Sequence, residues 1–346
     1  MPDATHTVIQ TPDGLYCPAG AFHIDPWRPV ERAVITHGHS DHARPGHATY
    51  LCSPTTAPIL RLRCGSDINI QTLPFGKTLE LGGATVSLHP AGHILGSAQV
   101  RIEVTGHVTV ITGDYKTTPA GEDHDPTSEP FELVRCDRLI TECTFGLPIY
   151  RWPKRQTIID EVHEFWRTNQ ADGRTTVLFA YALGKAQRLL GFLDDSIGPI
   201  LLHGSVNNLL APYEAAGIPL ARAQYATKEL AKEHKGRALV IAPPSTDGSS
   251  WLRRFAPTGS AFVSGWMLVR GSRRRRSVDR GFALSDHVDW PELLRVIDES
   301  GATHISATHG ATDIVARYLS ETRPLKADEI ETRFASTAEE AEEASA

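Results

Sequence analysis

Residues 31–42 read Glu31-Arg32-Ala33-Val34-Ile35-Thr36-His37-Gly38-His39-Ser40-Asp41-His42, an apolar β-branched run that ends in four metal-ligand side chains within six positions. The run predicts a strand over 31–36. Side chains at i and i+2 of an extended segment face the same side, so His37 and His39 can bind one cation together, while Asp41 and His42 on the turn beyond can face a second. A lone histidine is ordinarily a surface residue or a satisfied core residue. Four ligand types crowded at one strand end have no comparable packing explanation.

Three later residues share this setting. His93 lies in Pro90-Ala91-Gly92-His93-Ile94-Leu95-Gly96-Ser97, after an apolar run ending at Leu88, where glycines permit a tight backbone path. Asp114 follows Thr112-Gly113, and His309 follows Ile305-Ser306-Ala307-Thr308 and precedes Gly310. Each alone is an ordinary polar residue at a strand end. Together with the first cluster they form two sets: His37, His39 and His93 for one ion, Asp41, His42 and His309 for the other, with Asp114 able to bridge both. Ions held about 3.5–4 Å apart by a shared ligand can activate water and clamp the oxygens of an in-line displacement, so the expected chemistry is hydrolytic. With no thiolate in the set, zinc and manganese are both admitted.

Outward from these motifs, the first 145 residues read as strands and turns, with β-branched runs at 84–88, 98–104 and 107–112. From about Gln156 helices alternate with short apolar strands. A helix is expected over 157–169, a strand over 175–179, a helix over 185–193, buried strands at 240–242 and 261–263, and a helix over 292–299 leading into a strand at 304–307. No internal repeat interrupts this order. The 346 residues are 40% hydrophobic, 22% charged and 7% aromatic, which excludes collagen-like, coiled-coil and disordered classes and leaves a soluble α/β protein of about two domains. No run approaches the ~20 apolar residues that span a bilayer, and residues 1–10 lack a basic-then-apolar leader, so the expectation is a cytoplasmic protein with no membrane partner. The five cysteines (Cys17, Cys52, Cys64, Cys136 and Cys143) are odd in number and form no C-x-x-C pair, which predicts buried thiols rather than a disulfide framework.

Net charge is -6, but its distribution is uneven. Glu339, Glu340, Glu342 and Glu343 lie in an Ala/Glu/Ser tail, and Arg270, Arg273, Arg274, Arg275, Arg276 and Arg280 against Asp279 make a local charge of +5. Clustered arginine of this kind suits a phosphate backbone. Lys185 and Gln187, at a helix start after a strand, are weaker candidates for a phosphate contact.

The pattern His37-x-His39-x-Asp41-His42 with His93 and Asp114 resembles the metallo-β-lactamase fold, and Asp25 in His23-Ile24-Asp25-Pro26 sits where that fold carries a structural Asp. Glu142 in Leu139-Ile140-Thr141-Glu142-Cys143-Thr144-Phe145-Gly146, His287 in Leu284-Ser285-Asp286-His287, and His309 in Thr308-His309-Gly310 are similar to the three motifs of the β-CASP nucleases. Within that group, Val263-Ser264-Gly265-Trp266-Met267 with the arginine run, and Phe179-Ala180-Tyr181-Ala182-Leu183-Gly184-Lys185-Ala186-Gln187, most resemble the bacterial ligase-associated DNA exonucleases.

The resemblance implies an α/β architecture: a metallo-β-lactamase αββα sandwich, formed by residues 1–150 and 284–334, with a β-CASP cap inserted over 151–283 and an acidic tail over 335–346. It implies two divalent ions per chain, Zn or Mn, with catalytic roles for Asp41, for His287 near the leaving oxygen, and for Glu142 in orienting that imidazole. Lys185 and Arg270, Arg273, Arg274, Arg275 and Arg276 would meet nucleic acid, DNA ahead of RNA, in a repair exonuclease associated with a DNA ligase and a helicase. An RNase J-like ribonuclease fits the cap and His309 equally. A small-molecule metallo-hydrolase fits less well, because a small ester needs no segment of ~145 residues between Glu142 and His287. A non-catalytic binding module would be expected to have lost ligands that this chain keeps.

Overall fold

The computed structural model describes residues 7–269 and 278–330, which fall into two compact units. One is assembled from residues 7–120, 128–151 and 287–330, the other from 121–127 and 152–286.

In the first unit two mixed sheets carry the ligand-bearing loops. One runs, in spatial order, Ile9–Thr11, Gly14–Cys17, Phe22–Ile24, Arg32–Val34, Thr49–Cys52, Ile70–Thr72. The other runs Lys326–Glu329, His304–Gly310, Arg138–Cys143, His107–Ile111, Ala98–Val104, Ala84–Pro90, Thr78–Leu81. Alternation along each strand sorts its side chains onto two faces. Val34, Leu51, Ile111 and Ile140 enter one core with Phe22, Val86, Leu88, Val100 and Ile102, which lies between the sheets. Their neighbours Ala33, Ile35, Tyr50 and Cys52 point the other way, onto Ala57 and Leu60 of the helix Thr56–Cys64. Val110, Leu139 and Ile305 likewise face Leu293, Val296 and Ile297 of the helix Trp290–Ser300 and Val315 and Leu319 of the helix Thr312–Thr322. The unit is thus layered helix, sheet, sheet, helix.

The helix Trp290–Ser300 shows why these residues form that element. Asp289 caps its start by accepting a hydrogen bond from the Glu292 amide, and Pro291 sits in the first turn, where its missing N–H costs nothing. Leu293, Val296 and Ile297 then repeat at the 3/4 spacing of a single buried face, and Gly301 (φ 72°) ends it in the left-handed conformation. Burying one such aliphatic side chain is worth about 2 kcal/mol.

The second unit holds an all-parallel six-stranded sheet, ordered Ala223–Tyr225, Ile200–Leu202, Leu239–Ala242, Thr175–Phe179, Thr258–Val263, Arg280–Phe282. Both faces are covered at the centre, which is why the inner strands Ile200–Leu202 and Leu239–Ala242 read as unbroken apolar runs. Leu178, Leu202 and Ile241 pack with Val162, Trp166 and Leu189 on one side, and Val177, Phe179 and Val240 with Phe255 and Met267 on the other.

The expected helix over 157–169 spans Arg155–Ala171, and that over 185–193 stops at Leu190. The strand expected over 31–36 spans Arg32–Val34; the Ile35 amide still donates to the Leu51 carbonyl, and the Thr36 amide then turns away to donate to Asp25 Oδ1 (2.8 Å). Cys17, Cys52, Cys136 and Cys143 are buried free thiols and Cys64 is half-buried. Among the described residues no helix is long and apolar enough to cross a membrane. Arg270, Arg273, Arg274, Arg275 and Arg276 and the acidic tail lie outside the described residues.

Candidate metal centre

Four segments of the first unit, three of them loops at strand ends, bring the expected ligands together. His37 and His39 leave the strand Arg32–Val34, and the His39 carbonyl accepts from the amides of His42 and Ala43, closing the turn that carries Asp41 and His42. His93 is held by Ser97, whose hydroxyl accepts from the His93 and Ile94 amides at 3.0 and 3.2 Å. Gly92 before it has φ 76°, and a Cβ there would collide with the Lys116 carbonyl. Asp114 follows the strand His107–Ile111.

His309 arrives by a different device. In the parallel pairing of Arg138–Cys143 with His304–Gly310, Glu142 faces Thr308 but Cys143 faces Gly310, so His309 is an extra residue bulged out of the ladder. Its φ of 52° is unusual for a non-glycine residue, and Gly310 after it lies so close to Cys143 that only a hydrogen fits in place of a side chain.

The ligand atoms converge. His37 Nε2 and His93 Nε2 each lie 3.1 Å from His39 Nδ1, close to the ~3.3 Å that separates nitrogens around a tetrahedral ion at Zn–N distances of about 2.0–2.1 Å. Asp114 Oδ2 is 3.5 Å from His37 Nε2, 3.7 Å from His93 Nε2 and 3.4 Å from His42 Nε2, a position facing both sets. Asp41 Oδ2 is 3.5 Å from His42 Nε2, and the His42 and His309 rings stack at 5.2 Å. Asp41, His42 and His309 form one potential ligand group and His37, His39, His93 and Asp114 another.

Three buried atoms in this cluster, Asp41 Oδ2, His42 Nε2 and Asp114 Oδ1, have no hydrogen-bond partner among the described residues. Leaving such an atom unsatisfied costs about 1–3 kcal/mol, and a divalent cation would satisfy all three. Burial, reinforced by His42, holds His37 well below the usual imidazole range, and burial with His93 pushes His39 down to about 3, so both are the neutral form that a metal requires. For His42, burial works the same way but is overcome by Asp114, Asp41 and Asp25, which raise it well above the usual value. Asp114 is held well below the carboxylate range, because His42 outweighs burial. The residues fit a divalent-metal centre.

Partners behind the ligands fix their orientation. Asp25 Oδ2 lies 2.7 Å from His42 Nδ1 and accepts the Thr36 hydroxyl at 2.6 Å, which turns His42 Nε2 inward. Glu142 is fully buried and both of its oxygens lie 3.0 Å from His287 Nδ1, while Oε1 also accepts the Tyr115 amide at 2.8 Å. His287 is thereby held with Nδ1 toward Glu142 and its ring 4.7 Å from that of His93. Sequence reading did not single out Thr36 or the Tyr115 amide. A threonine before a ligand histidine is an available clue, but a backbone donor has none.

Beside Asp41, His42 and His309 opens a cleft walled by Leu15, Trp27, Ile111 and Ile330. In the second unit, Lys185, expected as a phosphate contact, is 1% exposed and its ammonium pairs with Asp286 at 2.8 Å. Gln187 is also buried, and its side chain bonds the Gly184 amide and the Ala182 carbonyl.

No protein-family model matches the chain. It is 36% identical over 311 residues to a probable DNA ligase of Opitutus terrae, covering 89% of this chain and 30% of that protein. It is 25% identical over 372 residues to the endoribonuclease YSH1 of Mycosarcoma maydis, covering 82% and 41%, and 26% identical over 250 residues to the transcription termination factor FttA of Pyrococcus abyssi, covering 59% and 36%. The chain therefore spans between 30% and 41% of the length of these relatives. Among solved structures, a protein of unknown function from Enterococcus faecalis V583 superposes with a TM-score of 0.59 at 15% identity, covering 87% of this chain and 79% of that one, a likeness of fold. The curated relatives support a metallo-β-lactamase/β-CASP family.

Proposed function

We propose that this chain is a two-metal phosphodiesterase acting on nucleic acid, a DNA exonuclease that serves repair alongside an ATP-dependent ligase. The observation that carries the reading is the pair of ligand groups, His37, His39, His93 and Asp114 beside Asp41, His42 and His309, joined where Asp114 meets His42, with His287 held by Glu142. The endoribonuclease YSH1 likeness supports nucleic-acid cleavage, and the likeness to a protein named as a DNA ligase, over 30% of its length, supports DNA and a ligase association. The second unit then has the part of a β-CASP cap for a polymeric substrate, and the arginines between 270 and 276 that of a phosphate contact.

Divalent ions, Zn or Mn, bound by these residues supply Lewis-acid activation of water and of the phosphate oxygens. Asp114 faces both ligand sets and sets their spacing. Asp41 and His42, anchored through Asp25, hold the second set in register with the first. His287, with Nδ1 on Glu142, presents Nε2 as a proton donor to the departing oxygen, and the hydrogen bond to Glu142 holds the imidazole in that orientation. The cleft beside His309, walled by Leu15, Trp27, Ile111 and Ile330, offers an apolar surface to a base or sugar of the substrate.

The test is incubation of purified protein with Mn²⁺ or Zn²⁺ and 5′- or 3′-labelled single-stranded DNA and RNA oligonucleotides, with an Asp41→Ala/His42→Ala control. Stepwise loss of DNA that the control lacks supports the reading. Cleavage of RNA alone moves the protein to a ribonuclease, as the YSH1 likeness allows, and cleavage of neither refutes it.

A further inference from the structure

Four ionisable side chains are buried together in the second unit and the chemistry above uses none of them. Lys185, Arg188, Asp286 and Asp125 are 1%, 3%, 4% and 8% exposed. Lys185 Nζ lies 2.8 Å from Asp286 Oδ2, and Arg188 Nε lies 3.2 Å from Asp286 Oδ1 and 2.8 Å from Asp125 Oδ2. The same two cations donate to the main chain beside Asp286: Lys185 Nζ to the Leu284 carbonyl at 3.2 Å and Arg188 Nη1 to the Ser285 carbonyl at 3.0 Å. Asp125 is itself locked, since its Oδ1 accepts the Thr127 amide and hydroxyl at 2.9 and 2.6 Å.

A buried ion network is an inefficient way to gain stability, because the desolvation of the charges offsets most of their attraction. What it provides is a fixed geometry, and the segment it fixes is informative. Three consecutive residues, Leu284, Ser285 and Asp286, are each held by Lys185 or Arg188, and the next residue in the chain is His287. Asp125, on the other short segment of this unit, closes the network eleven residues after Asp114.

We propose that Lys185, Arg188 and Asp286 are positioning residues that clamp residues 284–286, so that the chain delivers the His287 imidazole at the angle needed to protonate the leaving oxygen. This rests on the role given to His287 above. Misplacing a proton donor by about 1 Å can cost up to about 100-fold in rate, with substrate binding and metal loading intact.

The experiment compares two phosphodiesters on the metal-loaded full-length protein: a DNA oligonucleotide, whose leaving alkoxide needs a proton, and thymidine 5′-(p-nitrophenyl phosphate), whose leaving phenolate does not. Asp286→Asn and Arg188→Lys are expected to lower kcat on the oligonucleotide by about 10-fold to 100-fold, with KM within about two-fold, and to lower aryl-ester hydrolysis far less. Metal content should equal that of the wild type. The charge-neutral double variant Lys185→Met/Asp286→Leu, which leaves Arg188 with Asp125, should show the same divergence if the single variants fold poorly. An equal loss on both substrates, including one that accompanies unfolding, assigns the network to stability alone and overturns the proposal, as does no loss on either. Wild-type protein inactive on both substrates would instead remove the phosphodiesterase reading itself, and with it the proposal.

Discussion

Asp25→Asn exchanges one oxygen for an amide nitrogen and leaves shape intact, so its effect isolates the control of the His42 tautomer. Asp25 Oδ1 accepts the Thr36 amide at 2.8 Å, which obliges the new side chain to keep its oxygen there; reversing it would set two N–H groups against each other at a cost of about 1–3 kcal/mol. The amide nitrogen then takes the place of Oδ2, 2.7 Å from His42 Nδ1. Two donors cannot share that gap, so in the neutral form that binds metal the His42 proton sits on Nε2, the atom that faces Asp41 and Asp114 at 3.5 and 3.4 Å. A ligand lone pair is lost on one ion only. Loss of such a supporting partner weakens metal affinity by about 10-fold to 100-fold, or about 1.4–2.7 kcal/mol. Calorimetric titration of the metal-free protein with Zn²⁺ should resolve a weakened event for the Asp41, His42 and His309 set beside an unaltered one for His37, His39 and His93. Equal weakening of both events, or of neither, would refute the tautomer argument.

Glu142→Gln should lower oligonucleotide turnover by about 100-fold to 1,000-fold with metal content unchanged, since both Glu142 oxygens contact His287 Nδ1; kinetics alongside metal analysis checks this, and lost metal would place Glu142 among the ligands. Gly92→Ala puts a Cβ against the Lys116 carbonyl at a left-handed φ and should cost about 2–4 kcal/mol in urea unfolding, with weaker metal binding through displaced His93. Burial raises Cys52 to about 12, and burial with Asp137 does the same for Cys136, so both thiols are neutral in the fold. The stability this confers is fully present below the unfolded value of about 9 and is lost as pH rises toward 12, and both thiols should resist iodoacetamide at pH 8 until urea is added.

The ligands were legible because each ends a strand whose residues announce themselves by apolar, β-branched runs, and because four of them are adjacent in sequence. Their support was less so. Asp25 was visible as a carboxylate ahead of the cluster, but the Thr36 hydroxyl and the Tyr115 amide act through contacts that only the folded chain creates. Lys185 shows the limit most clearly. A lysine opening a helix after a strand reads as a solvent-facing cation, and nothing local to it reveals that Asp286, 101 residues later, returns to meet it. The three-residue strands Ile9–Thr11, Phe22–Ile24 and Ile70–Thr72 were missed for a related reason: they persist by pairing with neighbours and carry too short a pattern of their own.

The bulge at His309 separates two properties that a regular strand would tie together. In an unbroken ladder, the direction of every side chain follows from the pairing of its neighbours; here the flanking pairs Glu142 with Thr308 and Cys143 with Gly310 are satisfied without His309. Deleting that single residue would let the ladder close with its partners unchanged. The third member of the Asp41, His42 and His309 group is therefore separable from the pairing of the strand that carries it: loss of one codon would remove a ligand and leave the ladder intact.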